Sequence, residues 1–545
     1  MSLKPTPIPP VPEVTACVAH AAFPHGNVLM QLRDTLGPIY TDEQFADLFP
    51  THGQPAEAPW RLALVTVFQF MEHLTDRQAA DAVRRCLDWK YALSLELTDP
   101  GFDHTVLSEF RSRLIEGHAE QRLLDLLLER CREGGWLKVR GRQRTDSTHV
   151  LAKIRALNRT LCVGQTMVYV LNVLSEVAPE WVRASVPTEW VERYGERLEH
   201  ERLPKGEEER KQYANQVGAD GWALLEALDA PSTADWLKTL PAVITLRTIW
   251  QQQFEPLDQG GRWRTEPALP ATQLINSPYD LDARYGKKRT TLWVGYKVHF
   301  TQTCDEDVPQ LITHVETTPA PINDEKALSK VHAGLAEKKL LPGQHLVDAG
   351  YVDATNLIES QGNYEVDLVG PTLKNYWYQA ETGYDITHFS IDWETETVTC
   401  PQDHLSSSWT PAQDAKGKPV IKVKFSQTDC KACSSRASCT GTTRRTLTLQ
   451  PRERMQALFA ARQRENTETF KDTYRHRAGI EGVHSQGVRA MGLRRSRYLG
   501  LRKTHLDHVA TATAMNIIQL TSWLRGEAPE QTRTSSFKRV MKQAA

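Results

Sequence analysis

Three acidic residues sit in surroundings that suit chemistry with hard cations. Asp146 lies within RQRTDSTHV, Asp348 ends the strand-like run HLVD before AGY, and Glu481 stands in YRHRAGIEGVHSQGVR. Carboxylates supply hard oxygen ligands, and a set drawn from separate elements can hold two Mg²⁺ (or Mn²⁺) ions about 3.5 to 4 Å apart. One ion would activate an attacking oxygen and the other would stabilise a leaving oxygen. A single Asp at a strand end is more often a turn or cap residue, as Asp353 is expected to be for the helix after VDAGY, so the reading rests on the three together. Tyr474 and Arg477 precede Glu481 by seven and four residues. On one helix of about 3.6 residues per turn all three share a face. There Arg477 can pair with Glu481 or a phosphate, and Tyr474 can stack or hydrogen-bond. Arg489, Arg494, Arg495, Arg497, Arg502 and Lys503 follow, placing cations where a DNA backbone needs them, although a solvated basic helix end has the same composition.

A second constellation is the spacing Cys-x29-Cys-x2-Cys-x5-Cys at Cys400, Cys430, Cys433 and Cys439. It suits a tetrahedral Zn²⁺ that staples a unit with little core, and it also resembles an iron-sulfur staple. Free thiols are the third alternative. His404 is a substitute ligand or an exposed loop residue. Cys17, Cys86, Cys131, Cys162 and Cys304 are scattered and read as packing residues. Lys287, Lys288, Arg289 and Lys297 could contact DNA, and His149 could touch substrate. Solvated turns and strand ends account for the same residues.

The elements that must position these groups follow from periodicity. A Pro-rich start, residues 1–30, reads as a disordered leader without the apolar core of a signal peptide. Residues 31–138 read as helical, with an apolar helix from Trp60 to Met71 and a capping box at Thr75-Asp-Arg-Gln78. A helix around Phe102 to Leu114 carries Arg111 and Arg113, which suggests either a helix-turn-helix-like DNA module or a plain bundle. From residue 139 the order is strand, strand, strand, helix, strand, helix, strand, an α/β pattern. A helical insertion at 155–270 includes the acidic run Glu207 to Glu209, and 375–450 reads as a β-rich, cysteine-containing insertion. One long helix is expected to run from Pro451 through Glu481, and another from Thr504 to Leu524. Residues 526–545 form a basic tail.

The whole chain has 66 Lys+Arg and 67 Asp+Glu in 545 residues, a net charge of −1 that by itself argues against nucleic-acid binding. The balance is uneven. Residues 441–545 hold 20 Lys+Arg against 8 Asp+Glu, a net of +12, which leaves −13 for the other 440. The C-terminal excess has the sign that neutralises phosphates. No run of apolar residues reaches the roughly 18 of a membrane span, so no membrane partner is expected.

At these motifs the sequence resembles bacterial insertion-sequence transposases of the DDE class. TDSTHV and DAGY resemble their two aspartate motifs, and Tyr474, Arg477 and Glu481 their Tyr-x2-Arg-x3-Glu signature. SPYDLDARYGKKRTTLWVGYKVHFTQTCD and RRSRYLGLRKTHLDHVATATAMNIIQL are similar to the IS-eleven-eighty-two family in particular. The resemblance spans about residues 30 to 525. It implies an RNase H-like catalytic core over 139–525, Asp146, Asp348 and Glu481 as catalytic ligands of Mg²⁺, double-stranded DNA as partner, a homodimer or larger assembly, and a bacterial cytoplasmic, nucleoid-associated location. The signature continues with Lys seven residues after the glutamate, whereas position 488 is Val and Arg489 lies about 100° further round. Two other functions are an inactive, domesticated transposase that regulates by binding DNA, and a nuclease without strand transfer.

Overall fold

The computed structural model describes residues 1–154, 157–196, 204, 206–259, 261–373, 382–415, 417–527 and 536. The run around Asp146, with β-branched Thr145, Thr148 and Val150, forms the strand Arg140–Leu151 (β1), the centre of the main sheet and buried without a break from Gln143 to Thr148. It is followed by Arg284–Lys288 (β2), Thr291–Thr303 (β3), Ile312–Pro319 (β4), Pro342–Val347 (β5) and Asp367–Val369 (β6). The order is β2-β3-β1-β5-β6, with β4 also on β3. Only β3 runs against the others: it is antiparallel to β1, β2 and β4, while β5 and β6 continue parallel to β1. A two-residue turn joins β2 to β3 and a short loop joins β3 to β4, whereas β1 reaches its antiparallel neighbour β3 only after the long helical segment and β2. The helices Asp324–Glu337 and Ala354–Tyr364 provide the longer crossovers that parallel strands require. As expected, Asp353 caps the second of these, accepting from Asn356 N at 2.7 Å. The short β2 was not anticipated, because its residues RYGKK lack an apolar alternation.

One hydrophobic cluster joins the N-terminal helices, one face of this sheet and the helix Leu501–Leu524. It runs from Leu29 through Phe68, Phe110, Val298 and Val315 to Leu520. The expected capping box at Thr75 and Gln78 is present in both directions and starts the helix Asp76–Arg85. Arg111, expected to lend a basic face, is instead buried, with its guanidinium 2.5 Å from Asp76 and stacked over Tyr498. Arg113 donates to Leu48 O and covers Phe49. Both arginines fasten the bundle internally. The leader is likewise not the disordered segment expected: Ser2 N donates to Gln54 O at 2.7 Å, and a helix, Glu13–Ala22, packs Ala19 against Met30 and Tyr91. Prolines precluded a helix only before Glu13.

Between β1 and β2, helices from Arg159–Val177 to Pro241–Gln253 enclose their own core around Val163, Leu224, Leu246 and Trp250. Gly218 and Gly221 let the helix Glu207–Asp229 approach Phe254 and Trp250, since a Cβ on Gly221 would lie 2.1 Å from the Trp250 ring. Arg159–Val177 alone among the described helices is long and apolar enough to cross a membrane, but it lines this core. Glu207, Glu208 and Glu209 are exposed at a helix start. After β6, the strands Ser406–Gln413, Pro419–Phe425 and Thr446–Leu449 form a small sheet, beside a two-stranded ribbon of Ser390–Asp392 and Thr397–Thr399. The expected basic tail lies almost wholly outside the described residues, as do parts of both expected insertions.

Candidate active site

Asp146 and Asp348 are brought together by strand register. Thr145 pairs with Val347 across the parallel β1 and β5, so the next residue of each chain, Asp146 and Asp348, stand side by side. Ser147 N donates to Asp146 Oδ1 at 2.8 Å, and Gly350 N to Asp348 Oδ1 at 2.9 Å, which fixes one oxygen of each carboxylate. Burial pushes the Asp146 carboxyl up to about 6, Arg477 opposes that rise, and the charge of Asp348 adds to it. Two carboxylates held this close favour a cation between or beside them.

Glu481 reaches the same place on a helix that is not the continuous one expected. Helix Arg452–Glu465 ends at Asn466, Glu468–Tyr474 follows, and Arg475–Ala478 tightens to a 3-10 turn before the helix Gly479–Ala490. Within that turn Arg477 bridges the site: Nη2 donates to Asp146 Oδ2 at 2.7 Å, and Nη1 lies 3.5 Å from Glu481 Oε1. Glu481 is the most open of the three, its side chain 72 % exposed. Tyr474 does not extend toward solvent, since its ring stacks on Phe470 at 5.4 Å. Burial raises its hydroxyl.

The helix is docked by Arg144, a residue the sequence reading passed over. Its Nη1 donates to His476 O at 2.6 Å, and Nε and Nη2 to Gln302 Oε1. A Cβ on Gly479 would lie 2.1 Å from Nη1, so the glycine permits this approach. The only available signal was an arginine two residues before Asp146, on the same strand face. Asp324, the first residue of the helix Asp324–Glu337, carries no motif in the sequence that would single it out. It is buried, and its Oδ1 lies 3.0 Å from Lys297 Nζ, which also donates to Ile322 O at 2.8 Å. Lys297, considered as a DNA contact, therefore directs its charge inward. Gly350 separates the Asp324 and Asp348 carboxylates, a Cβ there meeting Asp348 Oδ1 at 3.1 Å and Asp324 Oδ2 at 3.4 Å.

The cations near the site divide into two groups. Arg489, Arg494 and Arg495 are exposed, and Arg494 Nε donates to Thr148 Oγ1 on β1 at 3.1 Å. Lys288 is exposed and close enough to lower the Asp146 carboxyl. Arg497 instead donates to Leu74 O and covers Phe70, and Arg502 pairs with Glu120 at 2.6 Å, so these two tie the C-terminal segment to the N-terminal helices. Helix Gly479–Ala490 runs unbroken past Gly482 and Gly487, which leaves Arg489 exposed and Val488 packed against the core. His149 packs its ring on Trp293.

As donors, three carboxylates with two of them adjacent fit Mg²⁺ or Mn²⁺ better than a softer ion. Among the described residues, however, no group of three or more His, Cys, Asp or Glu side chains is already arranged to hold a metal. Arg477 occupies the space between Asp146 and Glu481 and satisfies both.

A family model described as a transposase DDE domain matches residues 399–521, and one described as a transposase domain (DUF772) matches residues 18–113. These matches support an insertion-sequence transposase. The first match takes in Glu481, Arg477 and the four clustered cysteines, and neither match reaches Asp146 or Asp348. Transposases act on DNA, and DDE domains generally use divalent metals, consistent with Mg²⁺. No curated protein matches the chain.

Proposed function

We propose that this chain is a transposase of the IS-eleven-eighty-two type, which binds the terminal inverted repeats of its own element, cuts the DNA there and joins the 3′-OH ends to target DNA. The observation that carries the reading is the register that sets Asp146 beside Asp348, with Arg477 linking Asp146 to Glu481. The succession of three antiparallel neighbours, β4, β3 and β1, continued by parallel β5 and β6, is what an RNase H-like core with one helical and one β-rich insertion requires. Asp146, Asp348 and Glu481 would hold two Mg²⁺ ions. Bound there, such ions supply charge stabilisation and lower the pKa of water. Arg144 bonds to the 3-10 turn that leads into the Glu481 helix, which supports this reading, and Arg477 carries two donors that suit a phosphate as well as a carboxylate. Arg489, Arg494, Arg495 and Lys288 give the exposed cations that a DNA backbone would follow across the site. Two element ends cut in concert call for a homodimer or larger assembly on DNA.

Incubating the protein and Mg²⁺ with DNA that carries the repeats flanking its gene, together with a target plasmid, should give nicked ends and joined products. Asp348→Ala should bind the ends and give neither. Specific binding without cutting, unchanged by that substitution, would instead favour an inactive regulator, and cutting without joined products a plain nuclease.

A further inference from the structure

Outside the carboxylate site the most organised cluster of reactive side chains lies in the small β-rich unit. Cys400, Cys430, Cys433 and Cys439 line one pocket, although 29 residues separate the first two in sequence. Cys400 follows the ribbon strand Thr397–Thr399, Cys430 and Cys433 come from the short helix Gln427–Ala432 and its C-cap, and Cys439 ends Arg436–Cys439. All four are free thiols of intermediate exposure. Arg445 N donates to Cys430 Sγ at 3.5 Å, and its guanidinium bonds to Cys439 O and Tyr384 O. The unit's own core amounts to Phe389, Val398, Val423, Phe425, Leu447, Leu449 and Met455. That is little apolar area to order two small sheets and two one-turn helices.

We propose that these four cysteines bind one Zn²⁺ as a tetrathiolate that staples the β-rich unit. Four sulfur donors from three separate segments form a closed structural set, with no position left for water or substrate. Arg436 and Arg445, both at the pocket, offset the net negative charge of such a centre, and the Arg445 amide is the second-shell donor that a thiolate accepts. The thiols are not preset as ligands. Zn²⁺ binding to cysteine displaces the thiol protons and draws the sulfurs together around the ion. The helix Arg452–Glu465 packs Met455 and Phe459 on the same small core, so the staple also steadies the chain leading to Glu481.

The test is metal analysis of the full-length protein purified without chelator from zinc-supplemented cells. Expected is one zinc per chain, with less than a tenth of an equivalent of iron, retained in Asp146→Asn and Cys304→Ser and lost in the double variant Cys430→Ser/Cys433→Ser. Because the double variant could misfold, Co²⁺ substitution of the wild type gives a second readout, in which thiolate-to-cobalt bands in the near ultraviolet and visible d–d bands of tetrahedral intensity are expected. Zinc below a tenth of an equivalent, iron with acid-labile sulfide, zinc retained by the double variant, or octahedral cobalt spectra would each overturn the assignment. None of these outcomes depends on whether the chain cuts DNA.

Discussion

At the scale of single residues, the site is organised by charges that pair with one another. Arg477 neutralises Asp146 and approaches Glu481, while Lys297 neutralises Asp324. Removing one partner of the buried Lys297–Asp324 pair leaves an unpaired charge, so Lys297→Met should lose roughly 3–5 kcal/mol in urea unfolding. If Lys297 were a simple DNA contact, stability would be unchanged and only binding would weaken. A second buried carboxyl gives a pH prediction. Burial pushes Asp507 up to about 6, opposed by a hydrogen bond from Arg497 N at 3.0 Å. A raised pKa means that the folded state holds this proton more tightly than the unfolded chain. The resulting stability is fully present below the unfolded value near 3.8 and is lost as pH rises through about 6. Asp507→Asn should therefore flatten the stability profile between pH 4 and 6 by at most about 3 kcal/mol, measured by urea unfolding at pH steps across that window. A slope identical to wild type would refute this.

At the scale of elements, the decisive contact is between β1 and the helix that carries Glu481. Arg144 reaches from the strand to His476 O in the 3-10 turn, and Gly479 leaves it room. Gly479→Ala keeps an allowed helical backbone but places a methyl against the guanidinium, an overpacking that should cost about 1–3 kcal/mol. Cleavage should fall far more than DNA affinity, because the carboxylate is displaced while the exposed cations stay. A proportional fall in both would place the effect elsewhere. In the helical segment after β1, Gly221→Ala would meet the Trp250 ring and should lower the thermal midpoint without touching the site. Differential scanning fluorimetry paired with the cleavage assay separates the two glycines.

At the scale of the whole molecule, near-zero net charge conceals a basic C-terminal fifth against an acidic remainder. Only part of that excess faces outward. Arg497 and Arg502 are committed to Leu74 and Glu120, whereas Arg489, Arg494 and Arg495 are exposed. DNA affinity should fall linearly on a log–log plot against salt, with a slope of about −0.9 per phosphate contacted. Arg494→Ala/Arg495→Ala should make that slope shallower, and Arg497→Ala should act mainly through stability. The sequence by itself determined what local pattern can carry: the strand around Asp146, the cap at Asp353, the capping box at Thr75, and three carboxylates in strand, strand and helix contexts. It also made the four cysteines conspicuous by spacing. Tertiary structure decided the rest. Helical periodicity around Tyr474 did not register the 3-10 turn, because that turn is held by Arg144 from a strand more than 300 residues away. Composition marked Arg111, Lys297 and Arg497 as cations but not which way they face, since a buried partner such as Asp76 or Asp324 is brought near only when the chain folds. Nor could it show that the Pro-rich start is ordered or that the N-terminal helices and the sheet share one core, for burial depends on surfaces that meet only in three dimensions.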